Sequence, residues 1–344
     1  MVNSISCNLA LAGRGRMPFD QLKRREFFTL LGGAVAAWPL AARAQQAAGK
    51  APHIGLLWIT QNENTAAFLQ GLRDAGYIDG RSAIVEARYY ETMLDRLAEL
   101  ANELVALKCD VILASGPYAI EAAIKATSTI PIVGVDLESD PVASGWARSL
   151  SHPGGNLTGL FLDLPELGGK QIEFLKEAVP GLSHLAVLWD SSIGLVQFRA
   201  TQAAARAAGV TLQSLPIRGL EDVKDSFDRA ARERVGGVIV LSSPIVFRQR
   251  LQIAALAIET RLPTISLFTL LPRSGALMAY APNLPEMTKR AATYIDRILK
   301  GTKAGELPIE RPTKFELVIN LKTAKALGLD VPPTLRARAD EVIE

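Results

Sequence analysis

Cysteine is almost missing from this chain. The 344 residues hold two, Cys7 and Cys109. Cys7 falls inside the N-terminal leader described below, so Cys109 stands alone in the remainder and an intramolecular disulfide is excluded. Histidine is nearly as scarce, with three: His53, His152 and His184. None of the common chemistry-bearing signatures is present. The chain has no G-x-G-x-x-G after a strand, no G-x-x-x-x-G-K-[ST], no H-E-x-x-H and no G-x-S-x-G. No apolar run reaches the ~20 residues a membrane-spanning helix needs. A charge excess is missing too, once the charges are located. The formal net charge is +3, but six of the 38 bases and two of the 35 acids lie in residues 1–44. The rest therefore carries 32 bases against 33 acids, which removes the case for a nucleic-acid partner. What is present is a hydrophobic content of 49% with 21% charged residues, the balance of a folded chain of about two domains.

The basic leader reads as an export address. Lys23-Arg24-Arg25-Glu26-Phe27-Phe28 sets two arginines ahead of an uncharged stretch from Phe27 to Ala42, and Ala42-Arg43-Ala44 offers the small side chains of a cleavage site before Gln45. Paired Arg24 and Arg25 with a moderately apolar run resemble a twin-arginine signal. Met17 is an alternative start, and an uncleaved N-terminal anchor is the competing reading of the same residues. The expectation is a periplasmic mature chain that is not inserted in the membrane.

That chain repeats itself. His53-Ile54-Gly55-Leu56-Leu57-Trp58 returns as His184-Leu185-Ala186-Val187-Leu188-Trp189. Val111 to Pro117 returns as Val238 to Pro244, and Ile130 to Asp136 as Leu262 to Phe268. Three matches in one order describe a unit built twice. In the first copy, strands are expected near 54–59, 83–88, 111–114 and 131–135, with helices near 65–75, 93–107 and 118–126. In the second, strands fall near 185–189, 211–215, 237–241 and 264–267, with helices near 195–208, 221–234 and 245–260. The strands are apolar throughout rather than alternating, as in a parallel sheet covered on both faces. A further helix is expected from about Pro285 to Leu299 and a strand over Phe315 to Asn320. The class is α/β, with two doubly wound Rossmann-like lobes.

Ligands of such sheets sit beyond the carboxyl ends of the strands. The repeat places Thr60, Gln61, Asn62, Ser115, Gly116 and Asp136 through Asp140 there in one copy. Asp190, Ser191, Ser192, Ser242, Ser243 and Phe268 take that place in the other. Any one of these hydroxyls or carboxylates reads as a helix cap; the set reads as a ligand cleft, with helix-start amides behind Ser115 and Ser242 suited to an anion or carboxylate. His53 and His184 open strands at the opposite end and read as structural, as do Cys109 and the repeated Trp58 and Trp189. No cofactor, metal or catalytic residue is expected.

Several stretches carry a family resemblance. They are the leader, Phe68-Leu69-Gln70-Gly71-Leu72-Arg73, Asp140-Pro141-Val142, His152-Pro153-Gly154-Gly155-Asn156-Leu157-Thr158-Gly159, Pro282-Asn283-Leu284-Pro285, and above all Pro312 through Ala324. Together they resemble bacterial ABC-transporter substrate-binding proteins of the tryptophan/tyrosine type. The resemblance implies a class I periplasmic binding protein with three crossing strands, near Thr158-Gly159, Tyr280-Ala281 and Ile309–Arg311. Lobe one would comprise 52–157 plus about 283–308, and lobe two 159–280 plus about 312–342. Tyr280, at the second crossing, joins the candidate ligand-binding residues. The implied function is capture of a small polar or aromatic molecule, an amino acid or relative, by hinge closure, by a monomer that delivers it to an inner-membrane permease. Relatives often carry an acid at the position of Ser243, so here Asp190, Asp136, Glu138 or Asp140 would have to meet a ligand amine. A periplasmic enzyme and a ligand-sensing module for a membrane partner are the alternative functions.

Overall fold

The computed structural model describes residues 50–344 except 92 and 163–166. The expectations for Arg24, Arg25 and the cleavage site before Gln45 therefore lie outside the described residues.

The repeat unit appears twice as the same winding. In the first sheet, β1 (His53–Trp58), β2 (Ile84–Tyr89), β3 (Val111–Ser115), β4 (Ile132–Asp136) and β5 (Leu157–Phe161) lie in the order β2-β1-β3-β4-β5, all parallel. In the second, β6 (His184–Asp190), β7 (Thr211–Ile217), β8 (Val238–Val240) and β9 (Thr264–Ser266) repeat that order. Three more strands extend it: β10 (Met278–Pro282), β11 (Phe315–Asn320) and β12 (Glu341–Ile343). Only the β10–β11 pair is antiparallel. In both copies the chain winds outward on one side and then returns to the other side of its first strand. This creates a switch point between β1 and β3 and between β6 and β8.

Helices cover both faces, which explains the unbroken apolar strands. Ile54, Leu56 and Trp58 join one core cluster while Leu57 joins another on the opposite face. The covering helices of the first copy are α1 (Glu63–Asp74), α2 (Leu97–Ala106) and α3 (Pro117–Ala126). Those of the second are α4 (Leu167–Ala178), α5 (Leu195–Ala207), α6 (Asp222–Arg232), α7 (Pro244–Arg248) and α8 (Arg250–Glu259). Short α9 (Leu270–Arg273), the long α10 (Leu284–Leu299), α11 (Leu321–Leu327) and α12 (Pro333–Ala337) complete the chain. Helix α10 leaves the second sheet and packs on α1 of the first. Gly71 allows the approach: a Cβ there would lie 2.7 Å from the Lys289 carbonyl oxygen. The chain then returns beside β5, where Phe161 N–H donates to the Glu310 carbonyl at 3.0 Å and Glu310 N–H to that of Gly159 at 2.9 Å.

Two local expectations are corrected. Helix 245–260 is broken at Gln249 into α7 and α8. The break leaves Phe247 edge-on to Phe268 with ring centroids 6.0 Å apart. Helix α4 was not expected, and strand β5 was legible only through the family resemblance, as the crossing near Thr158-Gly159. Glycines disguise both: Gly159 interrupts the apolar run of β5, and Gly168-Gly169 lowers the helix propensity of the first turn of α4. At Gly168 a Cβ would come within 3.2 Å of Thr201 Cα, so that glycine serves close packing against α5. Cys109 lies just before β3. It is buried, and that burial pushes its thiol up to about 11. Among the described residues no helix is long and apolar enough to cross a membrane.

Candidate functional site

The carboxyl ends of the two sheets meet, and the loops that follow them build the site. After β1 the chain turns at Asn62, whose side chain accepts from the Asn64 and Thr65 amides at 2.9 and 3.3 Å and caps α1. After β3, Gly116 adopts φ +79°, which an L side chain resists. Pro117 then opens α3 with no side-chain cap, so the amides of the first turn are left for another acceptor.

After β4 the carboxylate of Asp136 is turned back on its own loop. It accepts from the Glu138 and Ser139 amides at 3.2 and 3.0 Å. Asp140 does likewise for Val142 and Ala143, at 2.8 and 3.0 Å. Glu138 is different. It is buried beside Asp136, accepts the Leu137 amide at 3.3 Å, and accepts the hydroxyl of Ser242 from the other half. Burial above all, and then the neighbouring Asp136, hold its carboxyl well above the usual carboxylate range. A second bond also joins the halves, from the Gln197 amide to the Leu137 carbonyl. At the rim, Arg273 pairs with Glu63 at 3.4 Å.

On the second sheet, Asp190 is fully buried. Its Oδ1 accepts the Ser192 amide at 2.9 Å, while its Oδ2 has no partner. Burial raises its pKa, partly offset by the Ser192 amide. Ser243, not Ser242, caps the following helix, accepting the Val246 amide at 3.1 Å. That helix has five residues, and Ser243 occupies its Val246 amide.

Two cavities lie between the halves and share Leu137 and Glu138 as a wall. The smaller, about 60 Å³, is lined from the first half by Trp58, Asn62, Asn64, Ser115 and Gly116. From the second half come Ser243, Pro244, Phe247 and Phe268. The larger, about 210 Å³, lies between residues 137–140 and residues of α4 and α5, with Leu162, Leu241 and Leu267. Among the described residues, neither lining contains Lys, Arg or His.

Of the sequence-derived set, Asn62, Ser115, Gly116, Glu138, Ser243 and Phe268 thus come together on one cavity. Asp190 and Ser242 are not in its lining; Ser242 is bonded to the lining residue Glu138. Asp136 faces its own loop. Thr60 and Gln61 stand aside, while their neighbours Ile59 and Asn62 line the cavity. Ser191 donates to the Ile217 carbonyl at 3.2 Å, away from the cavity. Tyr280 is also elsewhere. Its ring packs between Phe174 and Phe315, with centroids 5.0 and 5.7 Å away, because the strand alternation of β10 aims it at that cluster. Trp189 stacks on Phe198 at 4.4 Å and donates to Ser214 Oγ at 2.9 Å, a packing role; Trp58 contributes to the cavity wall. His53 and His184 open β1 and β6 at the far ends. Among the described residues no three His, Cys, Asp or Glu gather as a metal site.

Asn64, Phe247 and Gln197 were missed. Asn64 is buried with Oδ1 unpartnered beside the smaller cavity, yet in sequence it is one of several polar residues at a helix start. Phe247 and Gln197 sit one turn into helices, where nothing local separates a cleft-facing side chain from a packed one.

The raised Glu138 carboxyl has a measurable consequence. Its folded form binds a proton more tightly than the unfolded chain, so it favours folding at low pH. That advantage is lost as pH rises from about 4.5 through the raised value. Glu138→Gln is therefore expected to flatten the fall in Tm between acidic and neutral pH. Parallel Tm profiles for the two proteins would contradict this.

Comparison with known proteins places this geometry. A sequence model of the family described as ABC transporter substrate binding protein matches residues 60–343. A tyrosine-binding protein of Clostridioides difficile is 25% identical over 269 residues, covering 76% of this chain and 75% of that one. A conserved domain protein from Vibrio cholerae superposes with a TM-score of 0.80 at 23% identity, over 85% of this chain and 100% of that one. An ABC domain from Streptococcus pneumoniae, solved in complex with L-Trp, gives 0.78 at 21% identity, over 86% and 100%. The fold is that of the two-lobed class I periplasmic binding proteins. The chain belongs to the ABC transporter substrate binding protein family.

Proposed function

We propose that this chain is the solute-binding component of an ABC importer. It is exported to the periplasm, captures an amino acid or a related small polar or aromatic molecule, and passes it as a monomer to an inner-membrane permease, without chemistry on the ligand. The lobes that move are 52–157 with about 283–308, and 159–280 with about 312–342. The observation that carries this reading is the smaller cavity, whose wall is made by the strand ends of both sheets. At about 60 Å³ the cavity is below the roughly 150 Å³ that holds benzene. An amino acid therefore enters with the lobes parted and is held by both as they close around it, which draws the population toward the closed form. The Ser242–Glu138 and Gln197–Leu137 bonds belong to that form.

The chemistry around the cavity suits a zwitterion with an apolar side group. The uncapped first turn of α3 and Ser115 can receive a carboxylate. The free oxygens of Asp190 and Asn64 can receive an ammonium, and Trp58, Phe247 and Phe268 offer an apolar face. The 25% identity to a tyrosine-binding protein supports the same class.

The test is a thermal-shift screen across amino acids, aromatic acids and small amides, followed by calorimetry. A hit should raise Tm in proportion to the logarithm of its concentration above Kd, at one-to-one stoichiometry. Folded protein that responds to none of these would refute the proposed ligand class. Ser115→Ala should weaken a carboxylate-bearing hit several-fold while leaving the far-ultraviolet circular dichroism unchanged; undiminished affinity would remove Ser115 from the site.

A further inference from the structure

The larger cavity is not explained by amino-acid capture. It lies on the other side of the Leu137–Glu138 wall from Ser115, Gly116 and Asn64, and none of those residues lines it. Its volume of about 210 Å³ exceeds the roughly 150 Å³ of a protein cavity that binds benzene. Most of its wall is apolar, including Leu162, Leu167, Val196 and Leu241.

The polar groups in that wall are largely spent. Thr201 donates to the Gln197 carbonyl at 2.9 Å and the Gln171 amide to the Tyr280 carbonyl at 3.3 Å, Asp140 accepts from its own turn, and Glu138 accepts from the Leu137 amide and the Ser242 hydroxyl. The exception is Gln197. Its Nε2 donates to the Leu137 carbonyl, which fixes the orientation of the amide, since the reversed amide would set two acceptors face to face. Its Oε1 is then a buried acceptor without a partner. Such an atom costs free energy unless an occupant donates to it. With no Lys, Arg or His among the described residues of the wall, an anionic occupant is disfavoured.

We propose that the larger cavity is a second small-molecule site, for a neutral aromatic compound of one or two fused rings that carries a single N–H or O–H donor. The ring fills the space between Leu162, Val196 and Leu241, and the donor meets Gln197 Oε1. Gln197 is also bonded across the halves, so an occupant reinforces their closed arrangement and adds to the affinity for whatever fills the smaller cavity.

Indole and phenol are the probes, because they carry neither an ammonium nor a carboxylate. Failure of this proposal thus leaves amino-acid capture standing, and the reverse also holds. Calorimetry or ligand-observed NMR should show saturable one-to-one binding of indole to the wild-type chain. Ala200→Trp, which fills the cavity from α5, should weaken indole at least tenfold, and Ala200→Leu less so. If Ala200→Trp fails to fold, the loss in Ala200→Leu decides. Absence of saturable binding by both probes would overturn the proposal. So would unchanged indole affinity in a folded Ala200 variant, or a loss in Asn64→Ala as large as in Ala200→Trp, which would put indole in the smaller cavity.

Discussion

Asp190→Asn is expected to weaken capture of an amine-bearing ligand by about 10- to 100-fold, the ~1.5–3 kcal/mol of a hydrogen bond to a charged group. The carboxylate is fully buried at the end of β6, and only one of its oxygens is occupied within the protein. A buried, half-satisfied carboxylate is costly to fold around, and its raised pKa expresses that cost. Since the folded chain holds this proton more tightly than the unfolded one, stability contributed at low pH is lost as pH rises through the raised value. The variant should therefore bind more weakly and yet be at least as stable at neutral pH. Calorimetry with a thermal-shift hit, paired with Tm, reads both effects. Ser191→Ala is the contrast, because that hydroxyl is committed to the Ile217 carbonyl. Wild-type affinity in Asp190→Asn, or equal losses in the two variants, would show that Asp190 does not meet the ligand.

Gly159→Ala is expected to damage the fold more than any cleft substitution. Gly159 pairs with Gly134 across β4 and β5 at φ +139°, and a Cβ would fall 2.0 Å from the Gly134 carbonyl oxygen. Backbone cannot yield by that much, so the cost lies at or beyond the upper end of the ~1–3 kcal/mol usual for overpacking. The damage is local to the place where β5 meets the returning segment at Glu310. A lowered Tm and lost ligand response should appear together. A Tm within a degree of wild type would mean that the two strands are not paired as described.

The contrast between these two positions shows what could be read in advance. Gly159 stood out only through the family resemblance, which places a crossing strand there; the apolar pattern alone does not give the strand, because a glycine at its centre hides it. Asp190 was visible because a repeat aligned it with the first strand's end. The repeat carried most of the fold for the same reason. Buried parallel strands demand unbroken apolar runs, and a duplicated unit states each run twice. Between the copies, where β5 and α4 lie, no second statement exists.

Which polar residue faces the ligand was a different matter. Ser115 and Ser191 look alike in sequence, each a serine at or just past a strand end. One lines a cavity, and the other donates to a neighbouring carbonyl. Tyr280 was drawn to the site by its place at a crossing, and a one-residue alternation sends its ring to Phe174 and Phe315 instead.

The α/β class, the doubled winding, the strand ends that line the cleft and the near-neutral charge of everything after residue 44 were legible along the chain alone. Those properties follow from periodicity, composition and order along one chain. Only the tertiary structure decided that Glu138 reaches Ser242 and that Gln197 reaches Leu137. It alone also separates the space between the halves into two cavities. Such contacts join residues 60 and 104 positions apart, and they depend on how two separately formed sheets face each other, which no local pattern encodes.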